Sequence, residues 1–242
     1  MLDVGVNGLW GTREEGPREI AERWFATLEG LRRMDAEIFH DWHEAGKDLP
    51  SDPLLTPSVP ALTEYIERKN TGPDLDVVGY TTSLWARNDG TPHVSSAIHA
   101  GGSSPYVANS VAISFVSRTM DETAEVIRRA PEILHVLADA WGIDGGQVYS
   151  RSQFRAVSRH FSLKNSDPRC GRAVYLSARR AELAPEGLPG TYTRTASGGL
   201  VIDLTHGGTA FPSDEEIIEA NTTLRATGAL EPLSVPFDRA TL

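Results

Sequence analysis

Very little in this chain would let it cleave a bond, cross a membrane or staple itself together. Its 242 residues include one cysteine, Cys170, which excludes an internal disulfide and a cysteine-built zinc site. No apolar run approaches the ~20 residues that a membrane helix needs. Met1-Leu2-Asp3 lacks the basic start and apolar stretch of a secretion signal. These absences point to a reduced, cytoplasmic protein with no membrane attachment.

Catalytic signatures are missing as well. There is no Gly-x-Ser-x-Gly elbow, and Gly101-Gly102-Ser103-Ser104 reads as a polar turn. Neither a phosphate loop with a following Lys-Ser/Thr nor a Gly-x-Gly-x-x-Gly fingerprint occurs. Cys170 lies beside Arg169 and Arg172, an electropositive setting that lowers a thiol pKa, but no histidine partner is evident. His40 and His43 could share one helix face beside Asp41 and Glu44. Zinc needs a third ligand and usually a fourth, and the ordinary role of histidines at a helix C-terminus is to complement its dipole. Asp203 and His206 meet the same objection. Pro73-Asp74 and Glu67-Arg68-Lys69 hold nuclease-like residues in reversed order at a helix end, where carboxylates cannot converge on two metals. The expectation is therefore no catalytic residue, no metal and no cofactor.

What the chain does have is the composition of an ordinary soluble globule, 40% apolar and 23% charged. Its length suffices to bury roughly 70% of the unfolded surface, so a single domain over residues 1–242 is expected, with the Leu163–Gly171 loop as a possible internal boundary. The net charge of -10 is unevenly spread. Residues 151–180 carry eight basic side chains against Asp167, a net of +7, which leaves -17 for the remainder. So acidic a body repels nucleic acid and attracts basic partners.

Periodicity sets the elements. Pro17 suits a first helical turn, and Ile20, Trp24, Leu28 and Leu31 form an apolar stripe that predicts a helix to about Asp41. Ser58 caps a second helix through Asn70, with Leu62, Tyr65 and Ile66 inward. Val77–Arg87 and Val94–Ala100 read as a hairpin about Asn88-Asp89-Gly90, and Ser110–Val116 as a third strand. Thr119 and Glu122 form a capping box for a helix to Ala140, in which Pro131 predicts a kink or break. A glycine loop at 142–146 leads to a short strand, Gln147–Ser150. Arg151–Phe161 reads as a helix whose Arg151, Arg155 and Arg159 repel one another at four-residue spacing and so call for an acidic neighbour. Strands at Ala173–Ser177, Thr191–Thr195 and Leu200–Thr205 precede a helix capped by Ser213 and Glu216. Helices and hairpins in runs, without strict alternation, predict an α+β fold: a mainly antiparallel sheet with helices packed against it.

Trp10, Trp24 and Trp141 lie on apolar stripes and belong in a core. Trp42 sits among His40, Asp41, His43 and Glu44, where an exposed aromatic ringed by acids would have the composition of a binding hot spot. The candidate interface is therefore Asp35, Asp41, Trp42, Glu44 and Asp48, with Asp74, Asp76 and Trp85 as a second patch.

Small motifs run the length of the chain: Leu9-Trp10 with Arg13 and Glu14, Ser83-Leu84-Trp85, and Asn109-Ser110. Trp141-Gly142, Val148-Tyr149-Ser150, Gly198-Gly199 and Thr227-Gly228-Ala229-Leu230 follow. In this order the chain resembles the immunity protein 52 family of bacterial polymorphic-toxin systems, roughly from Val6 to Leu230. The segment Leu163–Pro189 is less like that pattern. The resemblance implies a protein encoded beside a toxin with a restriction-endonuclease-like fold, protecting its producer by binding that toxin, with no catalytic residues to carry over. It implies a cognate toxin as partner, and binding either over the toxin's active groove or at a distance, for instance against its self-association. Two other readings stay open: a small-molecule enzyme of unrecognised type, and a nucleic-acid-binding module using the basic 151–180 segment.

Overall fold

The computed structural model describes residues 2–46, 52–86, 92–117 and 119–237. Among them nine strands form one antiparallel sheet. They are β1 (Leu2–Trp10), β2 (His43–Glu44), β3 (Tyr80–Ala86), β4 (His93–Ala100), β5 (Asn109–Ser117), β6 (Gly145–Ser150), β7 (Ala173–Leu176), β8 (Thr191–Arg194) and β9 (Leu200–Asp203). Their order across the sheet is β2-β3-β4-β5-β1-β6-β7-β9-β8. The helices are α1 (Pro17–Met34), α2 (Val59–Lys69), α3 (Leu75–Val78), α4 (Met120–Trp141), α5 (Arg151–Phe161), α6 (Ala178–Ala181) and α7 (Asp214–Ala226). The chain is thus α+β, as its patterning implies.

Burial along the strands explains the layering. In β4 the residues Val94, Ser96, Ile98 and Ala100 are buried while the alternate ones are half-exposed, the mark of a sheet covered on one face. α1, α2 and α4 supply that cover. Trp10 stacks on Trp141 at 5.4 Å and Trp24 on Tyr65 at 6.3 Å. The Trp24 indole donates to Ser96 Oγ and the Trp141 indole to Thr27 Oγ1, each at 2.8 Å, so these two rings enter the core with their N–H groups satisfied, whereas Trp10 Nε1 is buried with no acceptor among the described residues. β7 and β9 are buried on both faces. Ala173, Tyr175 and Val201 join the first core, whereas Val174, Leu176, Leu200 and Ile202 join a second one with Ala220 and Leu224 of α7.

β1 is more than the short apolar segment its sequence suggests. It is a central strand paired with β5 from Leu2↔Ser117 to Trp10↔Asn109, and with β6 from Val4↔Ser150 to Leu9↔Gly145. Two of the glycines expected in a loop, Gly145 and Gly146, lie inside β6. A side chain on Gly146 would meet the Asn7 carbonyl oxygen at 2.7 Å, so the pattern reflects close backbone approach and not a turn.

Three other expectations shift. α1 stops at Met34, short of Asp41, because Asp35 turns extended (φ -157) and its carboxylate accepts from the Glu37 and Ile38 amides. Such local bonds compete with helix continuation. The break expected at Pro131 does not occur; α4 runs through it, held by buried Ile127, Ala130, Ile133, Leu134 and Leu137 on either side. The segment from Leu75 to Val78 is helical, so β3 begins only at Tyr80. Both caps, Ser58 on α2 and the Ser213–Glu216 box on α7, form as read. The Asn88-Asp89-Gly90 turn and the Glu122 side chain lie outside the described residues. The Leu163–Gly171 loop joins α5 to β7, which pairs directly with β6.

Candidate functional site

The first acidic patch is largely spent inside the fold. Asp35 Oδ2 pairs with Arg129 at 3.0 Å, tying the end of α1 to α4. Trp42, expected at the surface, is buried in the main core. Because α1 ends early, the chain turns back beneath the helical layer and carries this ring inward. Glu44 is paired with Arg68 and is also mostly buried. Asp41 alone of these is open, with φ at 48 and its carboxylate 3.1 Å from His40 Nδ1. Asp48 lies outside the described residues. Trp85 is buried as well, stacked between His43 at 4.5 Å and His93 at 5.7 Å, and its indole donates to Asp52 Oδ2 at 3.0 Å. That stack gives His43 a packing role, and its Nδ1 lies 3.0 Å from the Asp52 carbonyl oxygen.

The second patch fares differently. Asp74 and Asp76 are exposed at one end of the sheet, on the segment that enters β3. The β4–β5 loop packs alongside it: Ser103 and Ser104 amides donate to the Asp76 and Val77 carbonyls at 3.0 and 2.9 Å. The approach is tight. Gly79 and Gly101 have φ of +82 and +85, and a Cβ on Gly101 would lie 2.4 Å from the Glu15 carbonyl oxygen, so glycine is required there. This frame presents Val77, Val78 and Val107 at 43–47% exposure and Tyr106 at 70%. An aromatic and three valines beside two carboxylates, on braced loops, have the make-up of an interface centre. Sequence reading named the acids and missed the apolar residues. Val77-Val78 looked like strand interior, and the available signal was an aromatic stranded in the Gly/Ser/Pro loop that contains Tyr106.

The basic segment forms the opposite kind of surface. Arg151, Arg155 and Arg159 are exposed along α5. The expected acidic neighbour is not found for Arg155 or Arg159, which have no ion-pair partner among the described residues. Next to them three further guanidinium groups lie against aromatic rings: Arg169 over Phe154 (4.1 Å), Arg172 over Phe211 (5.8 Å) and Arg225 over Phe161 (5.1 Å). Burial lowers the pKa of all three, that of Arg169 to about 10. Arg180 is different in kind, buried and ion-paired with Asp144.

The thiol expectation is reversed. Cys170 is fully buried beneath α7, and burial pushes its pKa up to about 12. Desolvation outweighs the neighbouring arginines, so it is protonated at neutral pH. His99 and His135 are also shifted down by burial. No helix among the described residues is long and apolar enough to cross a membrane.

The family model for immunity protein 52 matches residues 4–229. No curated protein matches the chain in sequence. Among solved structures, the Pseudomonas aeruginosa T6SS protein PA0821 shares the fold with a TM-score of 0.53 and 10% identity, over 97% of this chain and 74% of that one. The toxic C-terminal tip of CdiA from Pseudomonas aeruginosa in complex with immune protein matches at a TM-score of 0.31 and 12% identity, over 62% of this chain and 88% of that one.

Proposed function

The chain belongs to the immunity protein 52 family, and from this we propose that it protects its producer by binding a cognate bacterial toxin in the cytoplasm, with no chemistry of its own. The observation that carries the interface is the braced end of the sheet, where Tyr106, Val77, Val78 and Val107 stand exposed beside Asp74 and Asp76. Apolar groups at the centre of such a patch slow release, and the acids around them speed encounter with a basic surface. A nuclease with a groove for phosphate presents that kind of surface, and the net charge of -10 steers the approach. The family resemblance implies a toxin with a restriction-endonuclease-like fold, and the acidic, apolar-centred surface suits contact at or beside the basic groove of such a nuclease-like domain.

The test is co-expression with the toxin encoded in the neighbouring gene. Cells carrying both should survive, purified protein should suppress degradation of supercoiled DNA by the toxin domain, and Tyr106→Ser combined with Val78→Asp should abolish both effects. Survival that does not depend on this protein, or turnover of a substrate by the protein alone, would overturn the reading.

A further inference from the structure

The sheet closes one of its edges and leaves the other open. At the β2 edge His43 bridges to Leu54, the Glu44 amide donates to the Pro53 carbonyl at 2.9 Å, and the Leu55 amide donates to the Trp42 carbonyl at 2.7 Å. Pro53 has no amide to offer a further strand. At the other end of the order stands β8, whose outer side pairs with nothing among the described residues. All four of its residues, Thr191-Tyr192-Thr193-Arg194, are exposed. Threonine and tyrosine favour extended backbone, and the strand has no proline or lysine of the kind that blunts such an edge.

The ladder's alternation fixes what this edge presents. The Thr195 amide donates to the Gly199 carbonyl at 2.9 Å, and the register continues through Thr193↔Val201 and Thr191↔Asp203. Bonded pairs alternate along an antiparallel ladder, so Thr191 and Thr193 direct their backbone groups at β9. The N–H and C=O of Tyr192 and Arg194 therefore point outward. The far side of β9 has the matching phase, since the Leu204 amide donates to the Arg172 carbonyl at 2.9 Å. Both outward residues have tethered side chains. Tyr192 Oη accepts from the Leu188 amide and donates to the Pro185 carbonyl, each at 3.1 Å, and Arg194 Nη1 donates to the Gly198 carbonyl at 3.2 Å. Gly190, at φ +144, and the turn after Arg194 limit the edge to four residues.

We infer that β8 pairs antiparallel with β8 of a second copy of the chain, about a two-fold axis at Thr193. That register sets Tyr192 opposite Arg194 of the partner subunit, and the reverse, so every outward group joins one of four backbone hydrogen bonds. Each guanidinium meets a phenol ring, a favourable pairing. The two Thr193 side chains face each other in a close, non-hydrogen-bonded pair. Neighbouring registers are worse: centring on Arg194 opposes like charges, and centring on Tyr192 puts Arg194 opposite glycine, outside the strand. A strand of another protein could satisfy the same backbone groups. The reciprocal Tyr–Arg match, one patch complementary to itself, selects a second copy. Four residues a side make a weak interface, half associated at about 100 µM. The inference stands apart from the toxin reading, because this edge is the one farthest from β2 and β3 and from Asp74 and Asp76.

Cysteine cross-linking of the full chain tests the axis. Thr193→Cys should give a disulfide-linked dimer under mild oxidation, since facing Cα atoms in such a pair lie about 4.5 Å apart. Thr191→Cys should not, because its two copies would stand roughly 13 Å apart along the strands. The buried Cys170 adds no background. Sedimentation equilibrium should show the unmodified chain dimerising near 100 µM. Thr193→Lys and Thr193→Glu, both at an exposed position, should each weaken association roughly tenfold or more by opposing like charges, and mixing the two should restore it. Circular dichroism checks that both variants are folded. A chain monomeric up to about 1 mM, a dimer indifferent to these variants, or equal cross-linking at Thr191→Cys would each overturn the inference. So would a monomeric wild type whose toxin affinity falls with Thr193→Lys, which would give the edge to the toxin and leave the toxin reading standing. Dimerisation without protection of cells would remove the toxin reading alone.

Discussion

Arg180 Nε lies 2.7 Å from Asp144 Oδ2, and the two side chains are 6% and 2% exposed. The pair is fully dressed. Ser177 Oγ donates to the other carboxylate oxygen at 3.1 Å, and Arg180 Nη1 donates to the carbonyls of Ala229 and Glu231 at 3.0 and 2.9 Å. One ion pair therefore clamps the chain after α7 onto the approach to β6. Removing one partner of such a pair strands the other charge, which typically costs about 3–5 kcal/mol. Asp144→Ala should lower stability by that amount in urea unfolding, and adding Arg180→Met should restore most of the loss. A single-variant effect below about 1 kcal/mol would show that the pair does not hold the C-terminal segment.

The Trp141 indole offers a cleaner measure of one hydrogen bond. It donates to Thr27 Oγ1 at 2.8 Å, on α1, and both groups are buried. Thr27→Val keeps the shape and deletes the acceptor, leaving a buried N–H that costs about 1–3 kcal/mol. The denaturation midpoint should fall accordingly with an unchanged m-value. The same substitution at an exposed threonine such as Thr222 should be nearly neutral.

Local signals carried the helices, and long-range contacts hid the site. The stripe of Ile20, Trp24, Leu28 and Leu31 and the caps at Ser58 and Ser213 act within a few residues, so they are visible in order along the chain. The burial of Trp42 depends on where α1 stops, and that depends on Asp35 finding two amides and Arg129 on α4. Gly145 and Gly146 looked like a loop because the strand they pack against, β1, lies far off in sequence. The charge of residues 151–180 was legible as a sum. Its division was not: Arg180 is consumed in the core, while Arg155 and Arg159 stay exposed, and only the tertiary structure separates them.

The buried thiol gives a pH dependence with a definite sign. Cys170 is pushed from 9.0 to about 12 in the folded chain, so the unfolded chain ionises first as pH rises. The contribution is intact below about pH 9 and is lost progressively towards 12. Arg169, lowered from 12.5 to about 10, acts oppositely, because above pH 10 the unfolded chain keeps its proton longer. Comparing wild type with Cys170→Ala isolates the thiol. The stability difference between them should shift against the wild type by about 2 kcal/mol between pH 8 and 10.5. In the native state at pH 8 the thiol should also resist a disulfide reagent that labels the urea-unfolded chain at once. Rapid native labelling would contradict the burial.

Tyr106 and Asp41 separate the interface found in three dimensions from the one read along the chain. Tyr106 is 70% exposed on a loop fixed by Ser103 and Ser104, so truncating it removes contact area without opening a cavity. Tyr106→Ala should change unfolding free energy by less than about 0.5 kcal/mol and weaken toxin binding by about 2 kcal/mol, roughly thirtyfold. Asp41 is exposed too, but it stands without the apolar company its sequence neighbours promised, since Trp42 is in the core and Glu44 is bound to Arg68. Charge at an isolated rim position acts mainly on association rate. Asp41→Lys should therefore slow binding a few-fold at low salt and leave dissociation unchanged, whereas Tyr106→Ala should speed dissociation. Surface plasmon resonance on the toxin domain reads both rates. The reverse assignment, a faster off-rate for Asp41→Lys with Tyr106→Ala silent, would return the interface to the turn after α1.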